Sequence, residues 1–364
     1  MKTQLKITLC AATMAYAFGG GVSTAVAAPV VLPTANCGTG IGNNCLQLGD
    51  FSVFSLALLN FAATGSVNNP GPGDPYYVKS SPGELGNPGY IVYGTGTNNN
   101  GVVTNVPGMD NAFDLSGSGI ASFDTAHATD PTPTFSGDQN GTWDAQTSAI
   151  RSVLGTGQFA VYFNLNDTGN DNLQGGDLLA WAQVTIEGAG KTTKTYYLSG
   201  RQHGDLTGKN LSIANGAPLY QANPTGGYPN ADNGVGDPSD PRWTYANNTL
   251  CAVQAAPNVP QFLHFGPCTA NDPSTAKNID QSLGANAAAF AVYNDELSKA
   301  VMDPNSGYQT IHIRYVLGQE NNGYEQLFSF QSRVGNQAPE PGMLGLLGLG
   351  LAALPAIRRR RHRR

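Results

Sequence analysis

The chain has 364 residues, of which 40% are hydrophobic and 12% charged, with 46 glycines, 23 prolines and a formal net charge of −6. Soluble domains carry about 25% charged residues, so much of this surface consists of uncharged polar side chains. The composition excludes a coiled coil, a helical repeat array and a nucleic-acid-binding protein, and its apolar content excludes a fully disordered chain.

Residues 1–27 have the pattern of a secretory signal peptide. Lys2 and Lys6 flank the start of an apolar stretch over residues 7–18, which is too short to span a bilayer. The small-residue sequence Ala25-Val26-Ala27 follows and is a typical cleavage site. We therefore expect an exported body over residues 28–338, with a loop-rich part (28–140) and a more regular part (141–335).

Four cysteines follow the signal peptide, and an even number in an oxidising compartment predicts disulfides. Short loops close at the lowest entropic cost, which favours the local pairs Cys37–Cys45 and Cys251–Cys268. A zinc site is excluded because the chain has no Cys-x-x-Cys pair. Cross-pairing between the two pairs remains an alternative.

The loop-rich part has few candidate strands. The apolar run over residues 51–61 predicts one buried strand, and shorter strands are expected at 76–78, 90–93 and 102–106. Residues 107–140 are polar and interrupted by glycine and proline.

The more regular part predicts a mainly β fold. A helix is expected over 144–154, capped by Asp144 and ended by Gly155, and a second helix over 280–301, closed by Asp303-Pro304. Residues 199–275 are rich in turn formers. Strands are expected at 159–165, 178–186, 193–198, 311–317 and 324–330. Together these elements indicate a β-sandwich with one or two flanking helices and long Gly/Asn/Pro-rich loops.

Residues 187–192, of sequence EGAGKT, resemble part of a phosphate-binding loop. That motif needs a further glycine where the chain has Thr185, and it should open a helix. A strand-like run follows instead, so we expect a hairpin turn.

The densest group of oxygen ligands lies at residues 164–172. Asn166, Asp167, Asn170 and Asp171 could hold calcium, which binds six to eight oxygens. The EF-hand pattern is not met, because its twelfth position is Gly175 rather than glutamate. Asn, Asp and Gly also form turns, so a hydrophilic hairpin loop is the preferred interpretation and calcium the alternative.

Catalytic motifs are weak. His127, His203, His264 and His312 are scattered, and no Gly-x-Ser-x-Gly sequence is present, so we expect no enzyme. Paired carboxylates of a glycosidase need not be close in sequence, which keeps a secreted hydrolase as an alternative. Three tryptophans could form a sugar-stacking platform, although core packing is their usual role: Trp143, Trp181 and Trp243.

The end of the chain combines three features. Pro339-Glu340-Pro341 is followed by an apolar segment over residues 342–357 and a cluster of six arginines: Arg358, Arg359, Arg360, Arg361, Arg363 and Arg364. Sixteen helical residues reach about 24 Å, and snorkelling arginines help such a segment to span the membrane. The arginines are expected on the cytoplasmic side, with the body across the membrane.

This tail resembles the PEP-CTERM sorting tail of Gram-negative bacteria. The resemblance implies that exosortase, a membrane protease-transpeptidase, recognises the tail, cuts near Pro-Glu-Pro and removes it. An ordinary C-terminal anchor is the alternative and gives the same topology. Membrane contact is expected only through the tail.

The predicted body carries 11 basic and 24 acidic residues, a net charge of −13. Such a body is repelled by nucleic acids and anionic lipids. The resemblance implies a non-enzymatic exported surface or extracellular-matrix protein, associated with biofilm and exopolysaccharide. A calcium-assisted adhesin or glycan-binding module and a secreted hydrolase are the alternatives, and no cofactor other than calcium is expected.

Overall fold

A computed structural model of the chain describes residues 30–38, 40–79, 89–95, 106–115, 122–166, 178–199, 244–246, 249–284, 287–318 and 325–335. The predicted signal peptide and the sorting tail lie outside these ranges. The described part is mainly β, which confirms the predicted fold class.

The strands in chain order are β1 (Val30–Leu32), β2 (Gly40–Ile41), β3 (Leu46–Leu48), β4 (Phe51–Ser55), β5 (Gly89–Thr95), β6 (Phe113–Leu115), β7 (Ser122–Asp124), β8 (Trp143–Gln146), β9 (Val161–Phe163), β10 (Leu178–Glu187), β11 (Lys194–Leu198), β12 (Thr244–Ala246), β13 (Thr249–Ala256), β14 (Val259–Phe265), β15 (Lys277–Asp280), β16 (Phe290–Tyr293), β17 (Thr310–Gly318), β18 (Gln326–Phe330) and β19 (Ser332–Val334). The helices are α1 (Leu56–Thr64), α2 (Thr147–Leu154) and α3 (Asp295–Met302).

These strands form four sheets. A seven-stranded sheet has the order β3-β4-β16-β9-β18-β5-β6, and a six-stranded sheet has the path β11-β10-β17-β7, with β12 beside β10 and β8 beside β17. A four-stranded sheet has the order β15-β13-β14-β2, and β1 pairs with β19. Among the described strands, β1–β19 and β5–β6 are parallel pairs and the others are antiparallel.

One hydrophobic core joins the three larger sheets in a sandwich-like arrangement. It contains Phe163 of the seven-stranded sheet, Ile313 of the six-stranded sheet and Phe262 of the four-stranded sheet. A second core lies on the other face of the seven-stranded sheet, where Tyr162 and Phe328 pack in one cluster with β1. Successive side chains of a strand point to opposite faces of the sheet, so Tyr162 and Phe163 lie on different faces. The two cores together therefore bury both faces of this sheet.

The predicted strand over residues 51–61 is wrong beyond Ser55. The Ser55 hydroxyl accepts a hydrogen bond from the Leu58 N–H (3.3 Å), which caps α1, and Gly65 ends the helix with a left-handed φ of 75°. The residues of β4 are buried or half-buried and those of α1 are mostly buried, so apolar character alone did not distinguish the strand from the helix.

The other two predicted helices are too long. The helix expected over 144–154 begins only at Thr147; Asp144 lies on β8 rather than at the cap, while Gly155 ends α2 as expected. The helix expected over 280–301 is wrong before residue 295, because β15 and β16 occupy much of that stretch. The described part thus has three helices rather than one or two, and none is long and apolar enough to cross a membrane.

Most predicted strands are confirmed, with shifted ends, as β5, β9, β10, β11, β17 and β18. The turn-rich reading of residues 199–275 is wrong where β12, β13 and β14 lie, and residues 76–78 form no strand. Of the strand expected over 102–106, residues 102–105 lie outside the described part. Residues 188–193 connect the antiparallel strands β10 and β11, which confirms the hairpin and contradicts a phosphate loop.

Candidate functional site

Four aspartates lie together beside β8, and we call them the acidic cluster: Asp110, Asp130, Asp138 and Asp144. Asp144 belongs to β8 and is paired in register with His312 of β17. Asp130 and Asp138 belong to the connection between β7 and β8, and Asp110 precedes β6. The cluster therefore unites two separate segments of the chain.

Backbone pairing places Asp110 against Asp144. The Asp110 N–H donates to the Asp144 carbonyl (2.9 Å), and the Asp144 N–H donates to Oδ2 of Asp110 (2.7 Å). The Asn111 N–H donates to the Thr132 carbonyl (3.0 Å), which ties the β7–β8 connection to the same segment. The positions of these carboxylates are thus fixed by backbone hydrogen bonds.

Asp144 is fully buried and well supplied with donors. Its Oδ1 accepts a hydrogen bond from the Thr142 hydroxyl (2.7 Å) and lies 2.9 Å from Nδ1 of His312. Its Oδ2 accepts the backbone N–H of Gln139. The side chain of His312 is only 3% exposed, so this histidine orients Asp144 from within the fold.

The other three carboxylates each have a buried oxygen without a hydrogen-bond donor: Oδ1 of Asp110, Oδ1 of Asp130 and Oδ1 of Asp138. Burial, together with the charges of Asp138, Asp144 and Asp130, raises the pKa of Asp110 to about 8, although the Asp144 N–H opposes the shift. Burial first, and neighbouring carboxylates second, also raise the pKa values of Asp130 and Asp138. Negative charge is concentrated here without enough donors to stabilise it.

The geometry of the cluster allows several oxygens to meet one ion. One carboxylate oxygen from each of Asp110, Asp138 and Asp144 lies within 4.8 Å of the other two. All three ligand atoms are oxygens, which are the ligands of hard cations such as calcium and magnesium.

A second group, formed by Cys251, His264 and Asp272, does not suit a metal. Cys251 is joined to Cys268 in a disulfide, so it has no free thiolate. The ring nitrogens of His264 lie 3.0 Å from Oδ2 of Asp272 and 2.9 Å from the Phe265 carbonyl. This group is a hydrogen-bonded support for the turn after β14.

The structure contains the two disulfides expected from loop length, Cys37–Cys45 and Cys251–Cys268, and these exclude cross-pairing. Trp143 and Trp181 are buried, as core packing predicts, and therefore form no exposed sugar platform. Trp243 lies outside the described residues.

Other predicted site residues fall where the structure gives no description. Of the proposed calcium loop only Asn166 is described; Asp167, Asn170 and Asp171 lie outside the described residues, so calcium binding there stays a prediction. The same holds for the tail residues Pro339, Glu340 and Pro341 and for the arginine cluster.

The sequence prediction missed the acidic cluster. It treated residues 107–140 as polar turn sequence and His312 as an isolated histidine. A usable signal was the recurrence of aspartate in one stretch without any lysine or arginine between residues 110 and 144. The partner His312 could not be identified this way, because strand pairing alone brings it to Asp144.

Two family models match the chain. One, described as "Domain of unknown function (DUF8239)", matches residues 30–316, and the other, the PEP-CTERM protein-sorting motif, matches residues 337–361. The second match confirms the resemblance of the tail. No curated protein and no solved structure matches the chain.

Proposed function

Because the chain belongs to the family described as "Domain of unknown function (DUF8239)" and ends in a PEP-CTERM sorting motif, we propose that it is a non-enzymatic protein of the cell surface or extracellular matrix. The sorting motif identifies an exported protein that exosortase processes. The finer assignment to the matrix of biofilm and exopolysaccharide is our proposal.

The observation that carries the proposal is the position of the sorting motif. It covers residues 337–361 and follows the family domain, so the segment removed by exosortase is separate from the folded body. The described body is held by two disulfides, which suit an oxidising compartment outside the cytoplasm. The body is thus suited to persist after export.

Two histidine–carboxylate pairs, His312–Asp144 and His264–Asp272, support a non-enzymatic role. A general acid or base must reach the substrate, directly or through one water. His312 and Asp144 are almost completely buried, and His264 is engaged by Asp272 and by the Phe265 carbonyl. Both histidines have structural partners that account for their positions.

Extracellular polysaccharide is the proposed partner. The surface of the body is rich in uncharged polar residues that can hydrogen-bond to sugars, and its net negative charge disfavours nucleic acids. A calcium-assisted adhesin is the second candidate, since the acidic cluster offers oxygen ligands for a cation.

The test compares a deletion strain, a strain with the wild-type chain and a strain in which Pro339, Glu340 and Pro341 are all alanine. We expect the wild-type protein in the matrix fraction, the triple variant in the membrane fraction, and less matrix polysaccharide in the deletion strain. Unchanged matrix in the deletion strain would contradict the proposal.

Two further measurements separate the alternatives. Binding of the purified protein to a glycan array only when calcium is present would favour the adhesin. Release of sugar from a polysaccharide would favour a hydrolase.

A further inference from the structure

We propose that the acidic cluster is a calcium site, in which Asp110, Asp138 and Asp144 bind the ion and Asp130 completes the negative charge around it. This inference concerns the folded body and does not depend on the proposed matrix role. It also differs from the loop at residues 166–171, where the sequence favours a hairpin and leaves calcium as the alternative.

Buried oxygens without a hydrogen-bond donor lie in the acidic cluster. Asp110 is only 3% exposed, and its Oδ1 has no hydrogen-bond donor. Buried polar atoms in native proteins nearly always have a partner, because an unsatisfied one is costly. A cation bound by Asp110, Asp138 and Asp144 would give this buried carboxylate the positive partner that it lacks.

The spacing of the carboxylate oxygens suits the size of a calcium ion. Calcium–oxygen distances are about 2.3–2.6 Å, so two oxygens on opposite sides of one calcium ion are about 4.6–5.2 Å apart. The carboxylate oxygens of Asp110, Asp138 and Asp144 lie within 4.8 Å of one another. Three oxygens with these spacings share a centre at most about 2.8 Å from each, so small side-chain adjustments bring all three to calcium–oxygen distance.

The negative charge of the acidic cluster is not balanced by cationic side chains of the described residues. Among the residues that the structure describes, no lysine or arginine forms an ion pair with the acidic cluster; Arg314 binds Asp124 instead (2.9 Å). His312 contacts Asp144 through Nδ1 and leaves the other three carboxylates without a positive partner. A divalent cation would supply the missing positive charge.

The donor chemistry favours calcium over other metals. Zinc prefers nitrogen and sulfur ligands, and the cluster offers carboxylate oxygens. Magnesium requires octahedral geometry at about 2.0–2.1 Å and keeps several waters, whereas calcium accepts irregular arrangements of carboxylates. The alternative without any metal is protonation of Asp110, which its raised pKa permits.

A bound calcium ion would hold together the segment before β6 and the segment that leads into β8. Calcium would connect Asp110, which precedes β6, to Asp138 and Asp144 in the β7–β8 connection and on β8. β6 belongs to the seven-stranded sheet and β8 to the six-stranded sheet, so the ion would connect two sheets and add stability that depends on its concentration.

The experiment uses the purified full chain with its disulfides intact, freed of metal with a chelator. Calcium is titrated to about 10 mM, above the dissociation constants of about 10⁻⁴–10⁻³ M that are typical of extracellular modules. Calorimetry gives the affinity and the stoichiometry, and thermal unfolding gives the melting temperature. Magnesium is titrated in parallel.

The variant Asp110→Asn/Asp138→Asn retains side-chain size and removes two ligand charges. We expect wild type to bind an ion that raises its melting temperature, with magnesium at least about ten-fold weaker. In the variant, calcium affinity should fall by roughly 100-fold or more, since even indirect supports of a metal site contribute 10–100-fold. The matched control Asp167→Asn/Asp171→Asn changes the predicted loop and should leave this binding intact.

Stability without calcium distinguishes a calcium site from a purely structural acid pair. Without the ion the cluster is repulsive, so the variant should unfold at the same or a higher temperature than wild type. If the double variant does not fold, Asp138→Asn alone is used, because Asp138 is less buried. Absence of calcium binding by wild type, binding unchanged in the cluster variant, or loss of binding in the loop control would each overturn the proposal.

Discussion

At the scale of single residues, the pair formed by His264 and Asp272 links protonation to stability. Both ring nitrogens of His264 contact acceptors, so the doubly protonated ring satisfies both contacts. Burial alone lowers the pKa of His264, but the Phe265 carbonyl and Asp272 outweigh it and raise that pKa. The N–H of Thr269, followed by His264, lowers the pKa of Asp272 to about 2.

These shifts predict the pH range in which the pair stabilises the fold. The contribution of His264 is complete below the unfolded pKa of about 6.5 and is lost as pH rises through the higher folded value. The contribution of Asp272 is present above about pH 3.9 and is lost as pH falls towards 2. Both are therefore present between about pH 4 and pH 6.5.

The variant His264→Gln should consequently lose more stability at pH 5 than at pH 9, measured by the urea midpoint of unfolding. His127→Gln is the control, because the side chain of His127 is 65% exposed and its contact with Asp124 contributes little. An equal loss for His264→Gln at both pH values would show that charge plays no part.

Two glycines in the β10–β11 turn are required for different reasons: Gly188 because a side chain would clash, and Gly190 because of its backbone conformation. A Cβ on Gly188 would lie 2.1 Å from the Gly307 carbonyl oxygen and 2.9 Å from Cα of Tyr308. A Cβ on Gly190 would meet nothing within 4 Å, but Gly190 has a left-handed φ of 72°. Both positions favour glycine, for different reasons.

We expect Gly190→Ala to lower the free energy of unfolding by about 1 kcal/mol, the strain of a left-handed residue. Gly188→Ala should lower it by about 3 kcal/mol, because backbone atoms of the neighbouring segment must move. Chemical denaturation of both variants tests this order. A smaller loss for Gly188→Ala would mean that the segment at residue 307 moves away easily.

The residues of the acidic cluster show why a site can escape prediction from sequence. Adjacent Asn and Asp residues made residues 164–172 the candidate cation site in the sequence. Asp110 and Asp144 are far apart in the chain and meet because their backbones pair. Their proximity depends on pairing between distant parts of the chain, and this pairing cannot be predicted from the residue types alone.

At the scale of elements, the disulfides act on different parts of the fold. Cys251–Cys268 closes a separation of 17 residues and connects β13 to the turn after β14, and Cys251 is fully buried. Cys37–Cys45 closes a separation of 8 residues in the segment before β3. A longer closed loop restricts the unfolded chain more.

Replacement of each pair by alanine should therefore have unequal effects. Loss of Cys251–Cys268 should lower the free energy of unfolding by about 3 kcal/mol through chain entropy, and loss of Cys37–Cys45 by about 2.5 kcal/mol. The cavity left by buried Cys251 adds about 1 kcal/mol to the first. Denaturant unfolding of both double variants provides the measurement, and the reverse order would contradict this account.

Local patterns predicted the strands better than the helices. Residues 178–186 and 311–317 show alternating or continuous apolar residues, the patterns typical of strands. Both segments form long central strands of the six-stranded sheet. The spacing of Phe290, Tyr293 and Leu297 fits a helix, yet the first two lie on β16. The sheet supplied hydrogen-bond partners on both sides of β16, and such non-local pairing overrides a short periodic pattern.

At the scale of the whole molecule, the two ends of the folded body lie side by side. β1 and β19 are parallel, with Val30 opposite Ser332 and Leu32 opposite Val334. Val334 is five residues before Pro339, and an extended chain covers at most about 3.6 Å per residue, or roughly 18 Å. Cleavage near Pro-Glu-Pro must therefore take place close to the folded body, and the same holds for the predicted cleavage after Ala27.

This arrangement leads to a prediction about both mature ends. Mass spectrometry of the exported wild-type protein should find an N-terminus at or near Ala28, as the signal-peptide pattern predicts. It should find no peptide from the arginine cluster, because exosortase processes the tail. When Pro339, Glu340 and Pro341 are replaced by alanine, the arginine cluster should be retained. The melting temperature of the body should not change, since β19 ends at Val334, before the altered residues. Intact arginine tails on wild-type protein in the medium would contradict exosortase processing, whereas retained tails confined to the triple variant would show that the motif directs cleavage without supporting the fold.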